Sequence, residues 1–123
     1  IARTLVSNPE VLILDEPESH LDIQKQIVIL QTIKRLSQER GISCIINTHY
    51  PNHAFYLADR VLMTAKEKDV VYGNVQEVMT ESRMKEFFGI ELKKIIYEEE
   101  DYLVETMVPR ALGTERETGA CHL

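Results

Sequence analysis

An α/β fold built on parallel strands is what this sequence predicts, and three observations carry the prediction. Residues 11–14 and 42–47 are short, largely apolar runs rich in β-branched side chains. Between them lies a long stretch whose apolar residues recur at three- and four-residue intervals. Each run ends in polar residues, Asp15-Glu16-Pro17 after the first and Asn47-Thr48-His49 after the second. Apolar runs without alternation suit parallel strands buried on both faces. The strand–helix–strand order implies a right-handed crossover and a parallel sheet.

The elements follow in order. Residues 2–7 have helical composition, and Asn8-Pro9 ends it, because proline disfavours helical geometry in the residue before it. Residues 11–14 are the first strand. Asp22 is placed to cap a long helix over residues 23–40, with Ile23, Ile27, Leu30, Ile33 and Leu36 on its apolar stripe. Gly41 is the natural C-cap, and residues 42–47 form the second strand. A short helix is expected over residues 51–58 and a third strand over residues 60–65. A polar turn at residues 66–69 leads to a returning strand at residues 70–72. Residues 75–80 and 82–88 read as two short helices, the second stopped by Gly89. Residues 91–98 and 102–108 alternate as a small C-terminal β-hairpin around the acidic turn Glu98 to Asp101. Residues 110–123 lack a pattern and read as a loose tail.

The bulk numbers bound the function. At 44% hydrophobic and 28% charged, the 123 residues are ordinary globular material. The net charge of -6 argues against broad nucleic-acid binding, which calls for a basic surface. No apolar stretch approaches the roughly 18 residues that span a bilayer. The start, Ile1-Ala2-Arg3, has no initiator Met and no signal-peptide pattern, and reads as a truncation point. Of the two cysteines, Cys44 sits in an apolar run and Cys121 near the end. A disulfide framework is not expected, and a reducing cytoplasm fits better.

Three polar features carry the chemistry. Asp15 and Glu16 stand at the end of the first strand. A strand-end Asp can hold Mg²⁺ on a nucleotide, directly or through water, and an adjacent carboxylate can polarise a water for in-line attack on a γ-phosphate. Taken alone, Asp-Glu-Pro is simply a strand ending in a turn; its neighbours change that reading. Asp22, seven positions after Asp15, is a helix cap and also lies on the edge where α/β ligands bind. His49 follows the second strand, 33 residues after Glu16 (49 minus 16). One helix and one strand fit that interval, which brings the two side chains into neighbouring loops. An imidazole there can hydrogen-bond a γ-phosphate and the attacking water. A transition-metal site from His20, His49 and His53 is disfavoured, because Pro51 breaks the helix that the 49/53 spacing needs.

In order and spacing, Val11-Leu12-Ile13-Leu14-Asp15-Glu16-Pro17, Ser19-His20-Leu21-Asp22 and His49 resemble the Walker B strand, D-loop and switch histidine of ATP-binding cassette (ABC) ATPases. Ile1 to Leu5 resembles the helix that follows the signature loop of that family, and the likeness runs from Ile1 to Val75. It implies the C-terminal portion of a P-loop NTPase fold. It makes Asp15 the Mg²⁺ partner through water, Glu16 the catalytic carboxylate, Asp22 the interface aspartate, and His49 a catalytic and nucleotide-binding switch histidine. ATP and Mg²⁺ are the implied cofactors. The implied partners are a second copy or a paired ATPase subunit and a membrane permease, with no nucleic acid. The implied location is the cytoplasmic face of the cell membrane. Asn47 to Ala54, with Ala58-Asp59-Arg60-Val61, looks most like the iron–siderophore, haem and cobalamin importers. The resemblance divides the chain into a catalytic-core half over residues 1–75, a C-terminal subregion over 76–109, and a tail over 110–123.

The departures set the expectations apart from a whole ATPase. No Gly-x-x-x-x-Gly-Lys-Ser/Thr phosphate loop and no Leu-Ser-Gly-Gly-Gln signature occurs in these residues, so little activity is expected from them alone. Glu18 stands where the family commonly has a small or hydroxyl residue. The family's missing half would cover residues 11–14 and 42–46, so the isolated chain is expected to be marginally stable or to self-associate. Two other readings remain in view. One is a soluble ABC-type ATPase acting on DNA or ribosomes; the compact chain after His49, with no heptads, speaks against the chromosome-organising class of these. The other is a truncated interaction module without catalysis.

Overall fold

The computed structural model describes residues 5–116. The chain divides into two units, Ile1–Asp59 and Arg60–Leu123. Residues 1–4, which hold half of the helix expected over residues 2–7, lie outside the described residues, as do residues 117–123 with Cys121.

The first unit holds β1 (Val11–Asp15), α1 (Ile23–Arg40), β2 (Ser43–Asn47) and α2 (Pro51–Leu57). β1 and β2 pair in parallel, from Val11 opposite Ser43 to Asp15 opposite Asn47. That register sets the polar ends of both strands on one edge, as the strand–helix–strand order predicts. Asp22 caps α1 by accepting the Lys25 N–H at 2.9 Å. Gly41 ends the helix in the left-handed region (φ 65°), where a side chain would be strained. Pro51 opens α2 at a position where a missing N–H costs nothing.

The core of this unit is Leu12, Leu36 and Ile42, with Leu5, Leu14 and Cys44 packed against it. Burial pushes the Cys44 thiol above its ordinary range, because the thiolate is the form that loses hydration. The expectation of strands buried on both faces needs correction. Ile13 is 74% exposed and Val11 and Ile45 are exposed too, because the helix covers only one side of this two-stranded sheet. The apolar stripe of α1 is likewise buried only at Leu30, Ile33 and Leu36, whereas Ile23 and Ile27 face outward.

The second unit holds β3 (Arg60–Met63), β4 (Val71–Asn74), α3 (Val75–Val78), α4 (Glu81–Phe88), β5 (Leu92–Glu99), β6 (Tyr102–Pro109) and a 3-10 turn at Arg110–Leu112. β3 and β4 pair antiparallel, as do β5 and β6. Thr80 separates the two short helices by capping the second: its hydroxyl accepts the Arg83 N–H at 3.2 Å. Gly73 lets α3 close on β4, since a Cβ there would lie 3.1 Å from Val78 Cγ2. The methionines Met63, Met79, Met84 and Met107 are all buried here, filling gaps between short elements. Among the described residues no helix is long and apolar enough to cross a membrane.

Candidate functional site

The two polar strand ends meet as the sequence predicts. The Glu16 N–H donates to the Asn47 carbonyl at 2.8 Å, which extends the β1–β2 ladder by one bond. The chain then turns sharply: Glu16 has a φ of 45°, a region disfavoured for a residue with a side chain. The Ser19 N–H donates to the Glu16 carbonyl at 3.1 Å and closes that turn. A strained residue at a strand end is typical of positions held by their surroundings for a purpose.

The side chains then converge. His49 Nδ1 lies 2.5 Å from Glu16 Oε1, and both side chains are about half exposed. Asn47 Nδ2 donates to Asp15 Oδ1 at 2.7 Å. The register pair Asp15–Asn47 and the next step, Glu16–His49, thus form two successive polar rungs beyond an apolar ladder. Asp22 stands apart from these rungs and serves as the α1 cap, with Lys25 Nζ 4.0 Å away. Asp22 was expected to play both roles, and the capping role is the one its contacts express.

Sequence reasoning noted Glu18 as unusual but gave it no role. In the fold its side chain is 1% exposed, and it accepts the Thr48 hydroxyl at 2.5 Å. The signal available in sequence was a carboxylate inside the turn that joins two site residues to a helix cap; its burial was not legible without β2.

The donor set suits Mg²⁺ on a nucleotide better than a caged metal. Asp15 offers one hard carboxylate, of which Asn47 engages one oxygen. Mg²⁺ commonly binds through one or two carboxylates, with waters and substrate phosphates filling the rest of its shell. Among the described residues no group of three or more His, Cys, Asp or Glu is placed to hold an ion.

No protein-family model matches the chain. Individual proteins do. The chain is 37% identical over 92 residues to the petrobactin import ATP-binding protein FpuC of Bacillus anthracis, covering 75% of this chain and 34% of that protein. It is 35% identical over 91 residues to the iron(3+)-hydroxamate import ATP-binding protein FhuC of Bacillus subtilis, covering 74% and 34%. It is 38% identical over 91 residues to the phosphonates import ATP-binding protein PhnC 2 of a Synechococcus species, again covering 74% and 34%. The chain therefore spans about a third of the length of the curated relatives it matches. In fold it resembles a solved structure described as a metal-chelate type ABC transporter in an inward-facing conformation. The TM-score is 0.82, with 88% of this chain and 43% of that one covered at 24% identity.

Proposed function

We propose, from the premise that the chain belongs by homology to the ATP-binding proteins of ABC transporters, that it supplies the hydrolytic half of an ATP-binding domain. The observation that carries this reading is the contact between His49 Nδ1 and Glu16 Oε1 at 2.5 Å, on the edge where two parallel strands end.

The chemistry follows from these groups. Glu16 has a second carboxylate oxygen with which to orient and polarise a water for in-line attack on the γ-phosphorus of ATP, so that the bond to the ADP oxygen breaks. With Nδ1 engaged by Glu16, the second ring nitrogen of His49 would be the one left to hydrogen-bond a γ-phosphate oxygen or the attacking water. Asp15, oriented by Asn47, would hold Mg²⁺ through water. The ion supplies neutralisation of phosphate charge. Asp22 would lie at the interface with a second ATPase subunit. The whole protein would drive import through a membrane permease from the cytoplasmic face. An iron–siderophore is the proposed cargo class, supported by the names of two relatives, although a phosphonate importer matches equally well.

The phosphate grip is not among these residues. A P-loop holds the β- and γ-phosphates with a nest of backbone N–H groups and a lysine, and no such motif occurs in the sequence. The test is calorimetry with Mg²⁺-ATP at millimolar concentration on this chain and on the full-length protein that carries it. No binding by the chain, with binding and turnover by the full-length protein, is the expected result. One-to-one binding by the chain alone, lost on Asp15→Asn, would overturn the half-domain reading.

A further inference from the structure

Among the described residues of the first unit Glu18 is the buried charged residue, and its contacts run toward the proposed hydrolytic pair. Its Oε1 accepts the Thr48 hydroxyl at 2.5 Å. The same hydroxyl oxygen accepts the Tyr50 N–H at 3.2 Å, so one oxygen fixes the main chain on both sides of His49. On the far side, the Glu18 carbonyl accepts from Gln26 Nε2 at 3.2 Å, which ties the turn to α1. A second path runs through rings. His53 Nδ1 lies 3.5 Å from Glu18 Oε1 without making a hydrogen bond. The His53 ring packs on Tyr50 at 4.9 Å, and Tyr50 packs on His49 at 4.4 Å.

This arrangement is costly. Glu18 Oε2 and His53 Nδ1 are both buried without a hydrogen-bond partner. Buried polar atoms are almost always satisfied, and an exception calls for an explanation. A buried carboxylate is poor value for stability, since apolar replacements of similar volume often fold as well or better. The Thr48 contact offers the explanation. The hydroxyl between Glu18 and the Tyr50 amide holds the turn that carries His49 against the turn that carries Glu16.

We infer that Glu18 is a positioning residue for hydrolysis: through Thr48 it clamps the turn after β2 onto the turn after β1 and keeps the His49 ring on Glu16. This rests on the reading of Glu16 and His49 as the hydrolytic pair. Glu18 itself touches no reacting atom. The loss of an angle or of an ångström at such a pair costs turnover rather than nucleotide affinity, because the phosphate grip lies elsewhere.

The experiment uses the full-length ATP-binding protein that carries these residues, with Glu18→Ala, Thr48→Val, Glu18→Gln and, as control, Glu16→Gln. Folding of each is checked by circular dichroism. Steady-state ATP hydrolysis is expected to show kcat lowered about 10- to 100-fold in E18A and T48V. KM for ATP should stay within about twofold. E18Q, whose amide oxygen can still accept from Thr48, should recover most of the rate. In parallel, ¹⁵N spectra of histidine-labelled protein read the His49 ring. Its signals should move in E18A and T48V in the direction they move in E16Q, and stay near wild type in E18Q. Wild-type kcat in a folded T48V, with E16Q inactive, would overturn the positioning role and leave the hydrolytic reading standing. An inactive wild type would sink the hydrolytic reading, and the His49 signals would then decide alone: unmoved in E18A and T48V, they refute the clamp.

Discussion

Two neighbours on β1 should respond very differently to truncation. Leu12 is 1% exposed and packs with Leu36 and Ile42; Ile13, the next residue, is 74% exposed. Leu12→Ala removes three carbons from a closed core. At about 0.8 kcal/mol per buried carbon this is ~2.4 kcal/mol of transfer free energy. The residual cavity brings the loss to about 3–4 kcal/mol. Ile13→Thr replaces the ethyl branch, one methylene and one methyl, by a hydroxyl and keeps the β-branch and its remaining methyl. Three quarters of that surface is already in water, so the loss should be within about 0.5 kcal/mol. Urea unfolding of the chain, followed by far-ultraviolet circular dichroism at low micromolar concentration, reads both. A midpoint that falls steeply for L12A and barely for I13T is the expected pattern. Equal losses would mean that the outer face of β1 is packed in solution, and the one-sided core would be wrong. Repeating the melts over a range of concentrations reads self-association directly, because a midpoint that rises with concentration marks a face shared between copies.

Other outcomes follow from single contacts. Asp22→Ala removes the acceptor of the Lys25 N–H at the start of α1 and should cost about 1 kcal/mol in the same urea titration, with Asp22→Asn nearly neutral. At Glu91, burial pushes the carboxyl up, but the Arg110 guanidinium, with Lys93 and Lys85, outweighs it, so its pKa lies below the ordinary carboxylate range. A depressed folded-state pKa stabilises above the ordinary carboxylate range, and that contribution is lost as pH falls through the lower, folded value. Arg110→Ala should therefore lower the melting temperature at neutral pH and leave it unchanged below the carboxylate range, as a pH series of thermal melts would read; an equal drop at every pH would refute the electrostatic origin.

Much of the fold was legible because its signals are local. The Asp22 and Gly41 caps bracket α1 at the residues the sequence nominates, and Gly89 ends α4 in the same left-handed conformation (φ 72°). The meeting of Glu16 and His49 was legible because the strand–helix–strand order fixes which strand ends share an edge, whereas the Asn47 bond to Asp15 was not read from the sequence. What the sequence hid depends on contacts between distant segments. Ile13 and Ile45 read as buried on both faces from their apolar runs alone, and the uncovered side was legible only through the family resemblance, which places their cover outside these residues. Glu18 read as a polar loop residue because nothing within its own turn reveals that Thr48, 30 positions on, closes over it. The expected tail after Arg110 begins instead as a short 3-10 turn, held where the Arg110 N–H donates to the Glu91 carbonyl at 3.0 Å.

The most direct test of the hydrolytic account is Glu16→Gln in the full-length protein, with Mg²⁺-ATP binding and hydrolysis measured on the same sample. The amide keeps the size of the side chain and loses the charge that polarises the water. Binding should persist while kcat falls by about 10²- to 10⁴-fold, the share a positioned acid–base group contributes. Hydrolysis at the wild-type rate by the variant would contradict the assignment of Glu16 and His49 as the pair that directs a water onto the γ-phosphate.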